Sequence, residues 1–323
     1  MSTTKSPELC HAPHDARPSL GLIAGPTASG KSDCAVRLAQ AVEAAGRRAV
    51  VINADSAQVY ADLGVLSARP DAAEMGGIEH RLYGAWDGAQ TCSAADWAAR
   101  ARAEIADVHA SGGIPILVGG TGLYIRTLLD GIAPVPEIAP TIRAAVRALR
   151  VADAYAALAR EDAEAAARLN PNDTTRVARA LEVVRSTGAP MAHWQARMEG
   201  GIGDAVRVTA HILLPDRAWL YERCDRRFAL MLERGALNEV AALIARDLPP
   251  DMPVMRAIGV PELAAYLRGE CGLDEATTRG AQATRNYAKR QYTWMRNQPP
   301  ADWPRIAPED FNLNVSVERL LRG

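Results

Sequence analysis

The chain has 323 residues, 48% of them hydrophobic and 23% charged, with a formal net charge of −1. That composition supplies core for one large α/β domain or two smaller ones, and it excludes nucleic-acid binding by overall charge, so any such binding needs a local basic face. No stretch approaches the roughly 20 apolar residues of a membrane span, and no membrane partner is expected.

Residues 1–18 are polar, with no apolar signal core, and predict a short disordered tail on a cytoplasmic protein. Five cysteines (Cys10, Cys34, Cys92, Cys224, Cys271) lie scattered without metal-ligand or redox spacing, which points to free thiols in a reducing compartment. Ser19 to Ala24 is a short apolar run of the length of a buried parallel strand. It opens onto Gly25-Pro26-Thr27-Ala28-Ser29-Gly30-Lys31-Ser32, which matches the phosphate-binding pattern G-x-x-x-x-G-K-[ST] at every fixed position. Apolar residues at helical spacing follow (Ala35, Val36, Leu38, Ala39, Val42). Strand, glycine turn and helix together give that loop its chemistry. Its amides and the helix N-terminus bind phosphate oxygens, Lys31 adds a point charge, and the Ser32 hydroxyl can hold Mg²⁺.

Arg48 to Asn53 reads as a second strand and delivers Asp55, which would face the phosphate loop as a general base or magnesium partner; capping of the next helix is the alternative. Ser93 to Ala110 reads as a helix with Ser93 and Asp96 in a capping box. Ile114 to Val118 is a third strand, ending in Gly119-Gly120-Thr121, where a Thr121 hydroxyl could reach a leaving oxygen or simply cap a helix. Strands alternating with helices imply a parallel sheet of P-loop NTPase type, flanked by helices, whose ligands sit at the strand carboxyl ends. Residues 19–136 and 204–323 form this α/β core in the expected division. The Ala- and Arg-rich stretch at 137–203 is an all-helical insertion, and Val206 to Leu214 is a strand returning to the sheet. Asp216 caps a helix running to Arg234, and the remainder is expected to be helical.

Near the C-terminus, Thr284 to Arg296 carries four cations, no acids and three aromatics. On a helix Arg285, Lys289, Tyr292 and Arg296 share a face, suited to tracking phosphates with stacking rings or, equally, to a solvated surface. Arg256 follows a Pro-rich turn from which it could grip a diphosphate. His80, His193 and His211 show no ligand spacing.

The motifs, in this order, resemble the tRNA dimethylallyltransferases (tRNA isopentenyltransferases) of the bacterial type. The blocks that carry the resemblance are Gly25 to Ser32, Asp55 to Tyr60, Gly119 to Tyr124, Asn172-Asp173 with Arg176 to Val183, and Lys289 to Arg296. The resemblance implies transfer of a dimethylallyl group from dimethylallyl diphosphate to N6 of adenosine 37 in the tRNA anticodon stem-loop. It implies a donor diphosphate held by residues 25–32 with Mg²⁺ on Ser32, and catalytic roles for Lys31, Asp55, Thr121 and Arg256. Contacts to tRNA are implied for Asp55, Ser56, Ala57, Gln58, Thr121, Arg143, Thr175, Arg176, Val177, Ala178, Arg179 and Arg256, and the basic helix adds Arg285, Lys289 and Arg296. Two departures stand out: Leu66-Ser67-Ala68-Arg69-Pro70 where the family usually has Gly-Thr-Ala-Lys-Pro, and Val260-Pro261 where it commonly has Tyr after Ile-Gly. A small-molecule P-loop kinase, which would use the loop on ATP, and an adenylate prenyltransferase are the competing readings, together with a non-catalytic RNA-binding relic. A monomer is expected, since nothing suggests an obligate interface.

Overall fold

The three apolar runs pair side by side because their side chains can be buried on both faces, as a parallel sheet requires. In the computed structural model, which describes residues 16–322, the strands are β1 (Ser19–Ala24), β2 (Ala49–Asn53), β3 (Glu79–Arg81), β4 (Ile114–Gly119), β5 (Arg207–Leu213) and β6 (Arg305–Ile306). They form one sheet in the order β3-β2-β4-β1-β5-β6, with every pairing parallel. The tail expected over residues 1–18 lies, up to residue 15, outside the described residues. The two edge strands escape sequence reading. β3 is Glu-His-Arg and only partly buried, and β6 is two residues long, so neither carries an apolar run. Each exists through pairing with an inner strand, Val50 with Glu79 and Ile212 with Arg305. The expected wholly helical C-terminal region is corrected accordingly.

The helices are α1 (Lys31–Ala44), α2 (Ala94–Ala110), α3 (Gly122–Asp130), α4 (Pro140–Arg147), α5 (Val151–Glu161), α6 (Ala163–Arg168), α7 (Thr174–Thr187), α8 (Met191–Gln195), α9 (Arg217–Glu233), α10 (Ala236–Ala245), α11 (Val260–Leu267), α12 (Leu273–Asn297) and α13 (Leu313–Leu321). The α2 capping box forms as its residues require: Ser93 Oγ accepts from the Asp96 amide and the Asp96 carboxylate accepts from the Ser93 amide, both at 3.1 Å. One turn on, Trp97 is fully buried, donates to Asn53 O at 2.9 Å and stacks on Tyr124 at 4.5 Å, tying α2 to the end of β2.

The chain divides into two compact units. One holds the sheet and comprises the described residues up to Arg126 and from Gly203 onward; the other is Thr127–Ile202. The second unit begins earlier than position 137 because its entering and leaving strands of chain zip together. Ile132 and Glu199 exchange both backbone hydrogen bonds, and the Ile202 amide donates to Leu128 O. Its own core joins Val146, Leu158, Val177 and Leu181 from α4, α5 and α7.

In the sheet unit, α13 covers β5 through His211. The Ser316 hydroxyl donates to Asn312 O at 2.7 Å, so it accepts from His211 Nε2 at 2.9 Å, which leaves Nδ1 buried and unprotonated with no partner among the described residues. Burial, with Arg319 nearby, pulls the imidazole down to about 4. The unfolded chain, with His near 6.5, therefore binds the proton first, and stability falls as pH drops from about 6.5 towards 4. Urea unfolding midpoints measured across that range should decline in the wild type and decline less in His211→Phe.

Candidate active site

The sheet order places the carboxyl ends of β2, β4 and β1 next to one another, so the three segments singled out in the sequence meet. Only glycine permits the approach: a Cβ at Gly119 would lie 2.0 Å from Ala54 O. The Thr121 amide then donates to Ala54 O at 3.1 Å, and Thr121 Oγ1 accepts from the Ser56 amide at 2.9 Å and donates to Ser56 Oγ at 3.1 Å. Thr121 thus pins the start of the Asp55 loop to the end of β4.

The phosphate loop turns through left-handed residues at Ala28 (φ 63°) and Gly30 (φ 86°). Such alternation points successive amides into one concavity, and a non-glycine residue held there marks strain kept for function. Gly30 is the N-cap of α1 and offers its first amides no side-chain acceptor, leaving them to an anion. Lys31 is buried, its Nζ 3.4 Å from Pro26 O and 3.9 Å from Asp55 Oδ2. Burial pulls its pKa down, and the Asp55 carboxylate opposes that shift. Asp55 is also buried; its Oδ1 accepts from the Ala57 amide at 3.1 Å, so it caps the local turn and still presents Oδ2 to Lys31. The expected cap is therefore made to a turn, not to a helix, and Oδ2 stays beside Lys31.

Asp55, Ser56 and Thr27 of these loops border a cavity of about 320 Å³. Thr27, Asp55, Ser56, Arg227, Arg256 and Arg290 supply its polar wall, and Leu63, Leu66, Phe228, Met231 and Ile258 its apolar wall. The segment 63–69 is stiffened from behind. The Glu239 carboxylate accepts from three successive amides, Gly64, Val65 and Leu66, at 2.5–2.9 Å, and the Gln58 amide donates to Ser67 O and Ala68 O. Tyr287 of α12 hydrogen-bonds with Thr121 and Ser56; burial and the Asp55 charge push its hydroxyl up to about 12, so it stays a neutral donor.

Two residues essential to this geometry carry no role in the sequence reading. Arg227 of α9 donates to Thr27 Oγ1 at 3.1 Å and to Ala68 O at 3.4 Å, bringing a second cation to the phosphate loop; burial lowers its pKa, with Asp55 opposing. An arginine still remains charged there. Gln291 of α12 is buried, accepts from the Thr27 amide at 2.7 Å and donates to Gly120 O at 3.0 Å, so one amide group joins the β1 and β4 loops. Its position inside the Lys289–Arg296 block was the available signal, masked by the cations around it.

Other expected residues fall elsewhere. Arg256, at the end of a 3₁₀ turn (Pro253–Arg256), is exposed and lines the cavity. Gln58 is buried with its side chain spent on loop carbonyls, and Val177 is fully buried in the helical unit; both are structural, because neither side chain can reach RNA. Arg285 is committed to Asp225 and to Gln282, and Tyr292 packs on Ala28, Leu220 and Cys224 under Arg217, so the face drawn through them is partly internal. Lys289 and Arg296 on α12 and Arg143, Thr175, Arg176 and Arg179 in the helical unit are exposed, and Ala178 is half-buried. Val260, in place of tyrosine, is buried at the start of α11.

Replacing Gln291 by Ala strands the Thr27 amide and the Gly120 carbonyl together. The expected result is a loss of about 1–3 kcal/mol in urea unfolding and about tenfold weaker binding of inorganic diphosphate by calorimetry.

The chain is similar to known proteins along most of its length. The family model described as IPP transferase matches residues 58–298. The tRNA dimethylallyltransferase of Erythrobacter litoralis is 64% identical over 95% of this chain and 96% of its own, and that of Novosphingobium aromaticivorans 62% identical over 86% and 99%. Among solved structures, the tRNA isopentenylpyrophosphate transferase of Bacillus halodurans superposes with a TM-score of 0.66 at 32% identity, covering 94% of each chain. A eukaryotic dimethylallyltransferase acting on tRNA gives 0.73 at 28%, covering 86% of this chain and 70% of the other. With that family model matching residues 58–298 and relatives above 60% identical over most of their length, the chain belongs to the IPP transferase family.

Proposed function

We propose that the protein transfers a dimethylallyl group from dimethylallyl diphosphate to N6 of adenosine 37 in tRNA, releasing diphosphate. The observation that carries this reading is the cavity itself: Asp55, 3.9 Å from Lys31, lines a pocket that combines arginines and hydroxyls with the apolar side chains of Leu63, Leu66, Phe228, Met231 and Ile258. A short prenyl chain fits against that apolar part of the lining. The two bacterial relatives above carry the name tRNA dimethylallyltransferase, which supports this reading.

In this reading the amides of residues 25–32 and Lys31, with Arg227 and Arg256, bind the donor's diphosphate and offset the charge that grows on it as the allylic C–O bond breaks. The carbon–nitrogen bond forms at N6, and the amine's proton passes to Asp55 Oδ2, the carboxylate oxygen left open when Oδ1 caps Ala57. Thr121, already fixed to Ser56, orients the leaving oxygen. The residues present fit a Mg²⁺ ion. Ser32 offers an exposed hydroxyl at the α1 N-terminus, the donor type that magnesium uses when it shares phosphate oxygens. Bound on Ser32, it would add positive charge at the leaving diphosphate. The target adenine must leave its stack to enter the cavity. Exposed Arg143, Arg176 and Arg179 of the helical unit, and Lys289 and Arg296 of α12, serve the phosphates of the anticodon stem-loop. We place the protein in the cytoplasm as a monomer. Among the described residues no helix is long and apolar enough to cross a membrane.

The test is nucleoside mass spectrometry of unmodified tRNA incubated with protein, Mg²⁺ and dimethylallyl diphosphate, with AMP as alternative acceptor. A dimethylallyl increment on adenosine in tRNA and none on AMP is expected. Asp55→Ala should lower the rate by about 10²–10⁴-fold. ATP turnover with a small acceptor and no increment would retire the reading.

A further inference from the structure

The cavity raises a question the phosphate loop does not answer: what limits the length of the chain it accepts. Phe228, one of two phenylalanines in the chain, lines the apolar wall and is itself buried. Its ring is seated by two glycines on different helices. Gly280 lies inside α12, where glycine is disfavoured by about 1 kcal/mol against alanine, and a Cβ there would stand 2.1 Å from Phe228 Cζ. Gly259 precedes α11 with φ +92°, and its Cβ would stand 3.1 Å from Phe228 Cε2 and 2.7 Å from Leu66 Cδ1. Phe228 and Leu66 therefore converge on one glycine from opposite elements, α9 and the loop after β2. The loop cannot yield easily, because Glu239 holds its amides at 64, 65 and 66. A helix-interior glycine kept against its propensity is explained here by the ring it accommodates.

We infer that Phe228, backed by Gly259 and Gly280 and faced by Leu66, is the length gate of the donor pocket, restricting it to a five-carbon allylic chain. This rests on the proposed prenyl-transfer reading. The ring occupies about the volume of one isoprene unit, so its removal opens room for the second unit of a ten-carbon geranyl chain. Interiors packed at crystal-like density do not make such room by relaxing, and a hydrophobic pocket discriminates by about 10–200-fold per misfitted methylene-sized group.

The test compares kcat/KM for dimethylallyl and geranyl diphosphate on unmodified tRNA in wild type, Phe228→Ala and Leu66→Ala, with circular dichroism checking each fold. Wild type should use the five-carbon donor alone. The geranyl-to-dimethylallyl ratio should rise about tenfold or more in Phe228→Ala and in the same direction in Leu66→Ala, whose backbone bonds to Glu239 persist. An unchanged ratio in a folded variant overturns the gate, and if Phe228→Ala does not fold, Leu66→Ala decides by the same ratio. A wild type that already transfers geranyl equally well also overturns it. A wild type that transfers neither group instead overturns the prenyl-transfer reading on which the gate rests.

Discussion

The phosphate loop, Asp55 and Thr121 take their positions from backbone at the ends of three parallel strands, and one buried side-chain amide holds two of those ends together. Gln291 accepts from the Thr27 amide and donates to Gly120 O, crossing from a C-terminal helix to loops far earlier in the chain. The neighbouring contacts need the absence of side chains. A Cβ at Gly120 would stand 2.2 Å from Gln291 Nε2, and one at Gly122 would stand 2.3 Å from the Trp294 ring. The α12 helix can therefore lie on the loops at backbone distance, and its Tyr287 reaches Thr121 and Ser56 from the same contact. A satisfied buried amide is worth more as a fixed geometry than as net energy, because leaving either of its partners unmade is what costs.

Charge is organised around that frame. A buried Lys31 and a half-buried Arg227 face one buried carboxylate, and desolvation lowers the pKa of both cations while Asp55 opposes the shift. An excess of positive charge kept partly dry favours a ligand that brings its own negative charge, as a diphosphate does. The same dryness makes the site selective, since each interaction is stronger away from water. The apolar part of the lining, Leu63, Leu66, Phe228 and Met231, offers no side-chain hydrogen bond and so suits a hydrocarbon.

In the helical unit the arginines divide by what they touch. Arg147 is 3.1 Å from the buried Glu182, a contact that secures α4 on α7. Arg176 stands 3.6 Å from Asp173, and Arg179 stands 3.8 Å from Glu182, with both guanidinium groups largely in water. The Arg176–Asp173 pair is solvated and contributes about 0–1 kcal/mol, whereas Arg179 reaches a carboxylate that is itself buried. Arg285 is different: its link to Asp225 joins α12 to α9 and gives it a structural role in the sheet unit.

Local pattern alone determined much of this protein. The phosphate loop, Asp55, Thr121, the three inner strands, the α2 capping box and the Asp216 cap of α9 all depend on residues within a few positions of one another, and physics acting at short range makes them readable. The family resemblance rested on those same blocks. Tertiary structure decided the rest. β3 and β6 exist only as partners of inner strands. Val177 and Gln58 are buried by neighbours that their own segments do not announce, and Arg285 is turned to Asp225. Arg227, Gln291, Glu239 and the glycine-seated Phe228 acquire meaning from segments tens to hundreds of positions away. A sequence read along its length records spacing, whereas those roles follow from which surfaces meet once hydrophobic burial has folded the chain onto itself.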